Sequence, residues 1–320
     1  MLSLPSKVTV VEVAPRDGLQ SFPRWVDTQT KIAIVDRLSE AGFPVIEVTG
    51  FAHPRVIPNL RDAEAVMAGI KRRPGTVYRA QVPNAKGAER AVRCTAPPDE
   101  LVGLIVASES YLKKNQNMTT EQAIEQAIKA FEIGRAAGMS FVMAIAGSFW
   151  DIYEGRTPES KVLGMVSRFH DAGMRRIYLA GSMGMEDPRH VNDLFTEVKQ
   201  RWPDLDTGFH VHNMAGGATA NILAALDAGA SFIEGAICGV GGGIAMPGGT
   251  GSVGNLASED IVYLLNEMGI ATGIDTEAVI AASRDIANML DIAPAGHVAH
   301  CGSRRELMEK GQKSPARHPL

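Results

Sequence analysis

The sequence predicts an α/β fold in which eight parallel strands close into a (β/α)8 or TIM barrel, with additional helices at the C-terminal end. Apolar runs of strand length alternate with longer amphipathic segments, eight times in succession, and several helical segments end on glycine, as at Ala41-Gly42 and Ala172-Gly173. Glycine just after a helix supplies the left-handed conformation that turns the chain toward the next strand. Eight such units, without an evident change in connection length, favour the barrel over a doubly wound open sheet.

The predicted elements follow one another in a regular order. The strands cover residues 8–13, 45–49, 77–82, 101–107, 141–146, 176–180, 208–212 and 231–238. Helices cover residues 28–41, 63–70, 120–137, 159–172, 188–200 and 217–228, and two more, 256–268 and 276–290, follow the eighth strand. We therefore expect residues 1–300 to form a single barrel with a C-terminal helical extension. The polar, basic residues 301–320 are expected to form a flexible tail.

The composition is that of a soluble globular protein. Of the 320 residues 45% are hydrophobic and 21% are charged, which supplies ample material for a core. A net charge of -4 gives no reason to expect nucleic acid or an anionic membrane as a partner. The three cysteines are scattered and suit neither a disulfide framework nor a cysteine zinc site, which favours a reducing compartment. With no apolar run long enough to span a membrane and no room for a signal peptide, we expect a cytoplasmic location.

Four potential metal ligands lie at the ends of predicted strands. Asp17 follows the first strand, His210 and His212 end the seventh, and Asn255 lies beyond the loop after the eighth. Side chains two residues apart on a strand project to the same side, and the carboxyl ends of barrel strands meet at one mouth. A carboxylate, two imidazoles and an amide oxygen suit Mg²⁺ or Mn²⁺, with Co²⁺ or Zn²⁺ as further candidates. The alternative is a group of ordinary polar residues that line the barrel.

Arg16 and Glu47 are expected to act beside this metal site. Arg16 precedes Asp17, and a guanidinium beside a metal can polarise a carbonyl and neutralise the charge of an enolate. Glu47 lies in the otherwise apolar second strand, where its charge is costly unless it is paired, so Arg16 is its expected partner. Glu47 then orients Arg16 or a metal-bound water, or it forms an ion pair of purely structural importance with Arg16.

Two loops on the same face carry further candidates. The glycine-rich segment 239–255 lacks a Gly-Lys-Ser/Thr ending and follows the last strand, which argues against a nucleotide phosphate loop or a dinucleotide fingerprint. Its glycines are typical of a mobile lid, with a merely long connection as the alternative. After the fourth strand, Lys113, Lys114 and Asn115 form a small cluster that suits a phosphorylated substrate handle such as coenzyme A, or else a solvated charged surface.

Several segments closely resemble 3-hydroxy-3-methylglutaryl-CoA lyase, within the wider metal-dependent lyase, aldolase and Claisen-synthase barrels. The resemblance runs in order over residues 8–290. The segments that carry it are Val11-Glu12-Val13-Ala14-Pro15-Arg16-Asp17-Gly18-Leu19-Gln20, Leu38-Ser39-Glu40-Ala41-Gly42, Val45-Ile46-Glu47-Val48, Lys113-Lys114-Asn115, Tyr153-Glu154-Gly155, His210-Val211-His212 and Gly254-Asn255-Leu256-Ala257-Ser258-Glu259-Asp260.

This resemblance implies a divalent-metal-dependent carbon–carbon lyase. Its substrate would be a 3-hydroxyacyl-CoA, cleaved by retro-Claisen or retro-aldol chemistry to an acyl-CoA such as acetyl-CoA and a ketone or keto acid. The metal ligands would be Asp17, His210, His212 and Asn255; the catalytic residues Arg16, Glu47 and Tyr153; and the substrate-binding residues Gln20, Lys114 and Asn115. Tyr153 matches an active-site tyrosine of these lyases and Gln20 a residue of the same mouth. Barrels of this kind often form dimers, so a homodimer is expected by analogy.

Three departures from the resemblance bear on the substrate. The lyases carry a reactive cysteine in a Gly-Gly-Cys setting where this chain reads Gly241-Gly242-Gly243, and Cys238 is too early to replace it and is expected to be a buried strand residue. They carry Asp after Gly at the end of strand six, where this chain reads Ala180-Gly181-Ser182, and their His-x-His-Asp is here His-x-His-Asn. Loss of a proton-handling group typically lowers a rate by about 10²–10⁴-fold.

We therefore expect a substrate that differs from hydroxymethylglutaryl-CoA. The candidate replacements for the lost acid and base are His53, after strand two, and Ser182 or Glu186, after strand six. Three alternatives stay open at this point: a condensing synthase of the isopropylmalate-synthase kind, a CoA-independent aldolase, and a non-catalytic homologue that binds a metal or an acyl-CoA. The synthases usually carry a regulatory domain that this chain is too short to hold.

Overall fold

A closed barrel of eight parallel strands forms the centre of the protein, as the sequence predicts. The computed structural model describes residues 2–242 and 254–313, apart from the side chains of Asn115 and Gln116. The barrel strands are β1 (Thr9–Glu12), β2 (Val45–Gly50), β3 (Val77–Val82), β4 (Glu100–Val106), β5 (Ser140–Ala146), β8 (Arg176–Gly181), β9 (Asp206–Val211) and β10 (Phe232–Gly235). They pair in the order β1-β10-β9-β8-β5-β4-β3-β2, and β1 also pairs with β2, which closes the barrel.

Helices surround the barrel and extend beyond it at the C-terminal end. They are α1 (Thr28–Glu40), α2 (Ala63–Gly69), α3 (Ala85–Val92), α4 (Glu109–Gln116), α5 (Thr120–Ala136), α6 (Glu159–Asp171), α7 (Pro188–Arg201), α8 (Ala218–Asp227), α9 (Ser258–Glu267), α10 (Thr276–Leu290), α11 (His297–Cys301) and α12 (Arg304–Lys313). Between β5 and α6 lies a short antiparallel hairpin, β6 (Trp150–Asp151) and β7 (Gly155–Arg156). Gly42 and Gly173 both have positive φ, which fits the predicted helix ends.

Alternation along the strands separates the helix layer from the barrel interior. Phe209 of β9 packs edge-on against Phe195 of α7, with their ring centres 5.7 Å apart. Since neighbouring side chains on a strand point to opposite faces, Gly208 and His210 face the interior. The same alternation brings His210 and His212 to the carboxyl-terminal mouth, where loops are free to supply chemistry.

The structure differs from the sequence-based expectation in several places. Helices α3 and α4 and the β6–β7 hairpin were not predicted. The last barrel strand ends at Gly235, because Ile237–Gly239 forms a 3₁₀ turn. Residues 304–313 form helix α12 where a flexible tail was expected, and ion pairs from Arg304 to Glu267 and from Arg284 to Glu306 tie it to α9 and α10. Residues 243–253, most of the proposed lid at 239–255, and residues 314–320 lie outside the described residues.

The described helices include none that is both long and apolar enough to cross a membrane.

Candidate active site

Three of the predicted metal ligands converge at the carboxyl-terminal mouth of the barrel. Asp17 lies in a π-helical turn, Ala14–Gly18, directly after β1, and its backbone amide donates to the carbonyl of Val13 at 2.7 Å. His210 lies on β9 and His212 just beyond it. One ligand atom from each of Asp17, His210 and His212 lies within 4.8 Å of the others, and all three residues are buried. Residues nearly two hundred positions apart in the sequence therefore share one site.

Asn255 completes this group from the far side of the glycine-rich loop. Its backbone forms an antiparallel bridge with His212. Its side-chain nitrogen donates to Asp17 Oδ2 at 2.7 Å and to the carbonyl of Val240 at 3.1 Å. Its Oδ1 is buried and accepts a hydrogen bond from none of the described residues. Because the amide nitrogen already donates two hydrogen bonds, the amide oxygen is the atom that remains to bind a ligand.

The protonation of these groups suits a divalent cation. Nδ1 of His210 lies 3.0 Å from Glu234 Oε2, and a proton on Nδ1 in this hydrogen bond leaves Nε2 as the nitrogen that can bind a cation. That Nε2 lies only 3.0 Å from Nε2 of His212. Burial raises the pKa of Asp17, but the charge of Arg16, with smaller contributions from His210, His212 and the hydrogen bond from Asn255, outweighs it and lowers that pKa to about 2. The donor set is thus an ionised carboxylate, two imidazole nitrogens and an amide oxygen, which fits Mg²⁺, Mn²⁺ or a similar ion.

Arg16 lies beside these metal-ligand candidates and stays positively charged. Its Nε donates to Glu47, which confirms the expected pairing, and its Nη1 donates to Asp17 Oδ1 at 2.7 Å. Burial opposes the charged guanidinium, but the carboxylates of Glu47 and Asp17 raise the pKa of Arg16 above its ordinary value. Arg16 also lines the cavity at the mouth of the barrel, so its charge is available to a bound anion.

Two buried residues that the sequence analysis missed extend this network across the barrel. Arg79 of β3 pairs with Glu47 at 2.6 Å and also with Glu234 of β10, which in turn holds His210. Burial raises the pKa of Glu234, but the charge of Arg79 and the hydrogen bond from His210 outweigh it and lower that pKa below its ordinary value. The sequence did contain a signal for Arg79 and Glu234. As with Glu47, each is a charged residue inside an apolar strand.

The cavity over the site has a volume of about 330 Å³. Its polar wall includes Gln81, Asp151 and Tyr178 beside the metal-ligand candidates, and its apolar wall includes Leu104 and Val106. Burial and the carboxylates of Glu234 and Glu47 raise the pKa of Tyr178 well above its ordinary value, so this side chain stays a neutral phenol. The cavity therefore offers a charged end for oxygen atoms and an apolar side for carbon.

The remaining predicted residues lie nearer the rim. Gln20 lines the cavity and donates to Asp17 Oδ1 at 2.8 Å. Tyr153 is partly exposed, and the Lys114 ammonium lies 3.5 Å from the centre of its ring. The side chain of Asn115 lies outside the described part of the chain. His53 is exposed at the cavity edge, where its Nδ1 accepts from the backbone of Arg55 at 3.1 Å.

Cys238 is buried, as expected, although it lies in the turn after β10 rather than in the strand. Its thiol donates to the carbonyl of Ser283 at 3.2 Å. Burial raises the pKa of this thiol to about 12, which leaves no thiolate for catalysis near neutral pH.

Among the candidate replacements for the lost acid and base, Ser182 accepts a hydrogen bond from the backbone of Gly147 at 3.0 Å.

Comparison with known proteins identifies the family. The family model described as HMGL-like matches residues 7–286. Human mitochondrial hydroxymethylglutaryl-CoA lyase is 36% identical over 299 residues, covering 93% of this chain and 90% of that protein. The Bacillus subtilis enzyme of the same name is 34% identical over 280 residues, covering 88% of this chain and 92% of the relative.

A solved structure agrees over the full length. The HMG-CoA lyase from Acinetobacter baumannii, in complex with coenzyme A and 3-methylmalate, superposes with a TM-score of 0.88 at 34% identity and full coverage of both chains. Together with the family model, these matches show that the chain belongs to the HMGL-like family, alongside the hydroxymethylglutaryl-CoA lyases.

Proposed function

We propose that this protein is a divalent-metal-dependent carbon–carbon lyase that cleaves a branched 3-hydroxyacyl-CoA. The observation that carries the proposal is the convergence of Asp17, His210 and His212, with the unpartnered oxygen of Asn255 beside them. The similarity to hydroxymethylglutaryl-CoA lyases, one of them solved with coenzyme A, supports the substrate class. The products are an acyl-CoA such as acetyl-CoA and a ketone or keto acid.

The role of each site residue follows from its position. Asp17, His210, His212 and Asn255 would hold the cation, which when bound supplies a Lewis acid for substrate oxygen atoms. Arg16 faces the cavity and neutralises the negative charge that develops on the thioester oxygen as the carbon–carbon bond breaks. Glu47 orients Arg16 by accepting from its Nε. The apolar wall at Leu104 and Val106 accommodates the carbon branch and keeps water from it.

The rim residues and the setting of the enzyme complete the proposal. Tyr153 and Gln20 contact the substrate, and Lys114, exposed on α4 beside Tyr153, attracts the phosphates of coenzyme A together with Asn115. We propose Mg²⁺ or Mn²⁺ as the metal, a homodimer as the assembled form and the cytoplasm as the location. No nucleic acid or membrane partner is proposed.

The test is a mass-spectrometric screen of branched 3-hydroxyacyl-CoA thioesters with the purified protein and added Mn²⁺ or Mg²⁺. We expect at least one thioester to be split, with release of the acyl-CoA and carbonyl products, and no cleavage after treatment with a chelator. If no thioester is split although the protein binds Mn²⁺, the proposed activity is refuted.

Because the chain lacks the cysteine of its relatives at Gly243, we further propose that the preferred substrate differs from hydroxymethylglutaryl-CoA. The same screen compares kcat/KM for hydroxymethylglutaryl-CoA with the values for longer-branched thioesters. Turnover of hydroxymethylglutaryl-CoA as efficient as that of any other member of the panel would contradict this part of the proposal and leave the lyase chemistry in place.

A further inference from the structure

We infer that Glu186 is a positioning residue of the cation site, and that its carboxylate replaces at the end of β8 the aspartate found there in the lyases this chain resembles. This inference rests on the proposed function, because it assigns a role within the same site. It starts from Gly181, the last residue of β8.

The space beside Gly181 is filled by a side chain from elsewhere in the sequence. A Cβ atom built on Gly181 would overlap the Glu186 carboxylate and lie only 2.5 Å from its carboxyl carbon. Such a distance is far inside van der Waals contact, so a side chain at position 181 and the observed Glu186 exclude each other. The chain therefore brings a carboxylate to this place from the loop five residues later.

The Glu186 carboxylate has no ordinary structural explanation. It is only 5% exposed, and neither oxygen accepts a hydrogen bond of normal geometry from any described residue. Buried carboxylates in folded proteins are nearly always paired or hydrogen-bonded, because their desolvation is costly. Asn221 of α8 donates to the Glu186 backbone carbonyl at 2.9 Å, and its side chain together with the backbone amides of Met185 and Glu186 offsets only part of the cost of burying the carboxylate. An acid that is compensated this weakly at a barrel mouth indicates a partner that binds later.

One of the groups that favour an ionised Glu186 is a metal-ligand candidate. Burial raises the pKa of Glu186 to about 7, while hydrogen bonds from nearby amides and the His210 imidazole act in the opposite direction. Gly181 also pairs with Val211, the residue between the two histidines, and its carbonyl accepts from the backbone of His212 at 3.3 Å. A carboxylate in this position stabilises positive charge at the end of β9, whether on an imidazole or on a cation that the imidazoles hold.

Three variants and a matched control test the assignment. Glu186→Gln removes the charge and keeps the volume, Glu186→Gly empties the space, and Glu186→Gly combined with Gly181→Asp returns a carboxylate from β8 itself. Glu100→Gln is the control, since Glu100 is equally buried and also has an unpaired oxygen, but lies at the amino-terminal end of β4. Mn²⁺ binding is measured by electron paramagnetic resonance, thioester cleavage by kcat and KM, and folding by thermal melting.

We expect Glu186→Gln and Glu186→Gly to weaken Mn²⁺ binding and lower kcat by about 10–100-fold each, as loss of residues that support a metal ligand typically does, with little change in KM. The double variant should recover most of both losses relative to Glu186→Gly, and Glu100→Gln should match the wild type. Wild-type Mn²⁺ affinity in folded Glu186→Gln, or no recovery in a folded double variant, overturns the assignment. A wild type that splits no thioester but shows the expected order of Mn²⁺ affinities refutes the proposed function and supports Glu186.

Discussion

At the scale of single residues, His212 and Asp17 are the side chains whose loss should remove the cation most completely. Each supplies one of the clustered ligand atoms. We expect His212→Ala and Asp17→Asn to lose measurable Mn²⁺ binding and to lower kcat/KM by about 10³-fold or more, since a bound metal contributes several kcal/mol to such reactions. Isothermal titration with Mn²⁺ and the cleavage assay check both effects.

Cys238→Ser is the control for this pair of variants. Its thiol is buried against Ser283 and a serine hydroxyl can keep that hydrogen bond. We expect Mn²⁺ affinity and cleavage rate to stay within about twofold of the wild type, well short of the losses that a proton-handling group produces. A large drop in cleavage for Cys238→Ser with normal melting would show that this thiol takes part in catalysis after all.

Arg79 links the two halves of the site, so its effect should exceed that of an ordinary ion pair. It stands between Glu47, which holds Arg16, and Glu234, which holds His210. Removing it with Arg79→Met leaves Glu47 paired only with Arg16 and Glu234 only with His210, and breaking a buried ion pair from one side typically costs about 3–5 kcal/mol of stability. Arg79→Lys keeps the positive charge but lacks the planar guanidinium that contacts both carboxylates. This variant should fold, but its kcat should fall by about 10–100-fold.

Arg176→Met is the matched control for Arg79, because Arg176 also pairs with two carboxylates on barrel strands, Glu100 and Asp206, but at the amino-terminal end. It should lower stability with kcat unchanged. Chemical denaturation and steady-state kinetics separate the two readouts. If folded Arg79→Lys has the wild-type kcat and Mn²⁺ affinity, Arg79 only balances charge and does not position the site.

At the scale of the elements, the packing of β9 against β10 depends on a residue without a side chain. A Cβ atom on Gly208 would overlap the ring of Phe232, which fills the barrel interior beside it. We expect Gly208→Ala to lower the free energy of unfolding by about 1–3 kcal/mol, as overpacked cores generally do. Because His210 follows two residues later, Mn²⁺ affinity should fall as well. Thermal melting and Mn²⁺ titration measure the two effects.

Gly164→Ala is the control for Gly208. Gly164 lies on the exposed side of α6 and a Cβ atom there would contact nothing within 4 Å. Replacing it should stabilise the protein by up to about 1 kcal/mol through helix propensity alone. If Gly208→Ala and Gly164→Ala shift the melting temperature equally and in the same direction, the Phe232 ring moves aside without cost and the predicted overpacking is absent.

The elements also show what sequence patterns can predict. The barrel strands and the helices α1, α5 and α10 were predictable because their apolar or amphipathic patterns are regular. One or two irregular positions do not obscure such a pattern. Helix α4 was missed because its eight residues are mostly polar, with Leu112 as the core contact. The capping serine at Ser108, which accepts from the backbone of Tyr111 at 3.1 Å, was the available signal.

The site was predictable to the same degree and for a related reason. Asp17, His210, His212 and Asn255 follow strands, and the fold brings strand ends together, so their convergence could be expected from the sequence. The links through Arg79 and Glu234 could not, because a one-dimensional pattern does not say which strands face each other across a barrel. Glu186 was a candidate from the sequence, but its placement beside Gly181 could not be predicted, because it depends on a loop conformation.

At the scale of the whole molecule, three buried acids should give the fold an uncommon pH dependence. Burial raises the pKa of Glu12 to about 8 and the pKa values of Glu259 and Glu186 to about 7. Glu12 accepts from the backbone of Ile237 at 3.0 Å, and Glu259 accepts from that of Cys238 at 3.1 Å, so both hold the turn after β10. In the folded state these groups keep protons that the unfolded chain releases above the usual glutamate pKa.

The stability contributed by these acids is therefore fully present at low pH and is lost as pH rises through their folded pKa values. For one such group the free energy of unfolding falls by up to about 1.4 kcal/mol per pH unit between about pH 5 and 8 and levels off above that. Glu12→Gln should flatten the slope, because glutamine stays neutral throughout, whereas Glu89→Gln on the exposed face of α3 should leave it unchanged. Urea denaturation at a series of pH values, in the presence of a chelator, measures the slopes. Parallel curves for the wild type and Glu12→Gln would mean that the carboxyl of Glu12 is ionised in the folded protein.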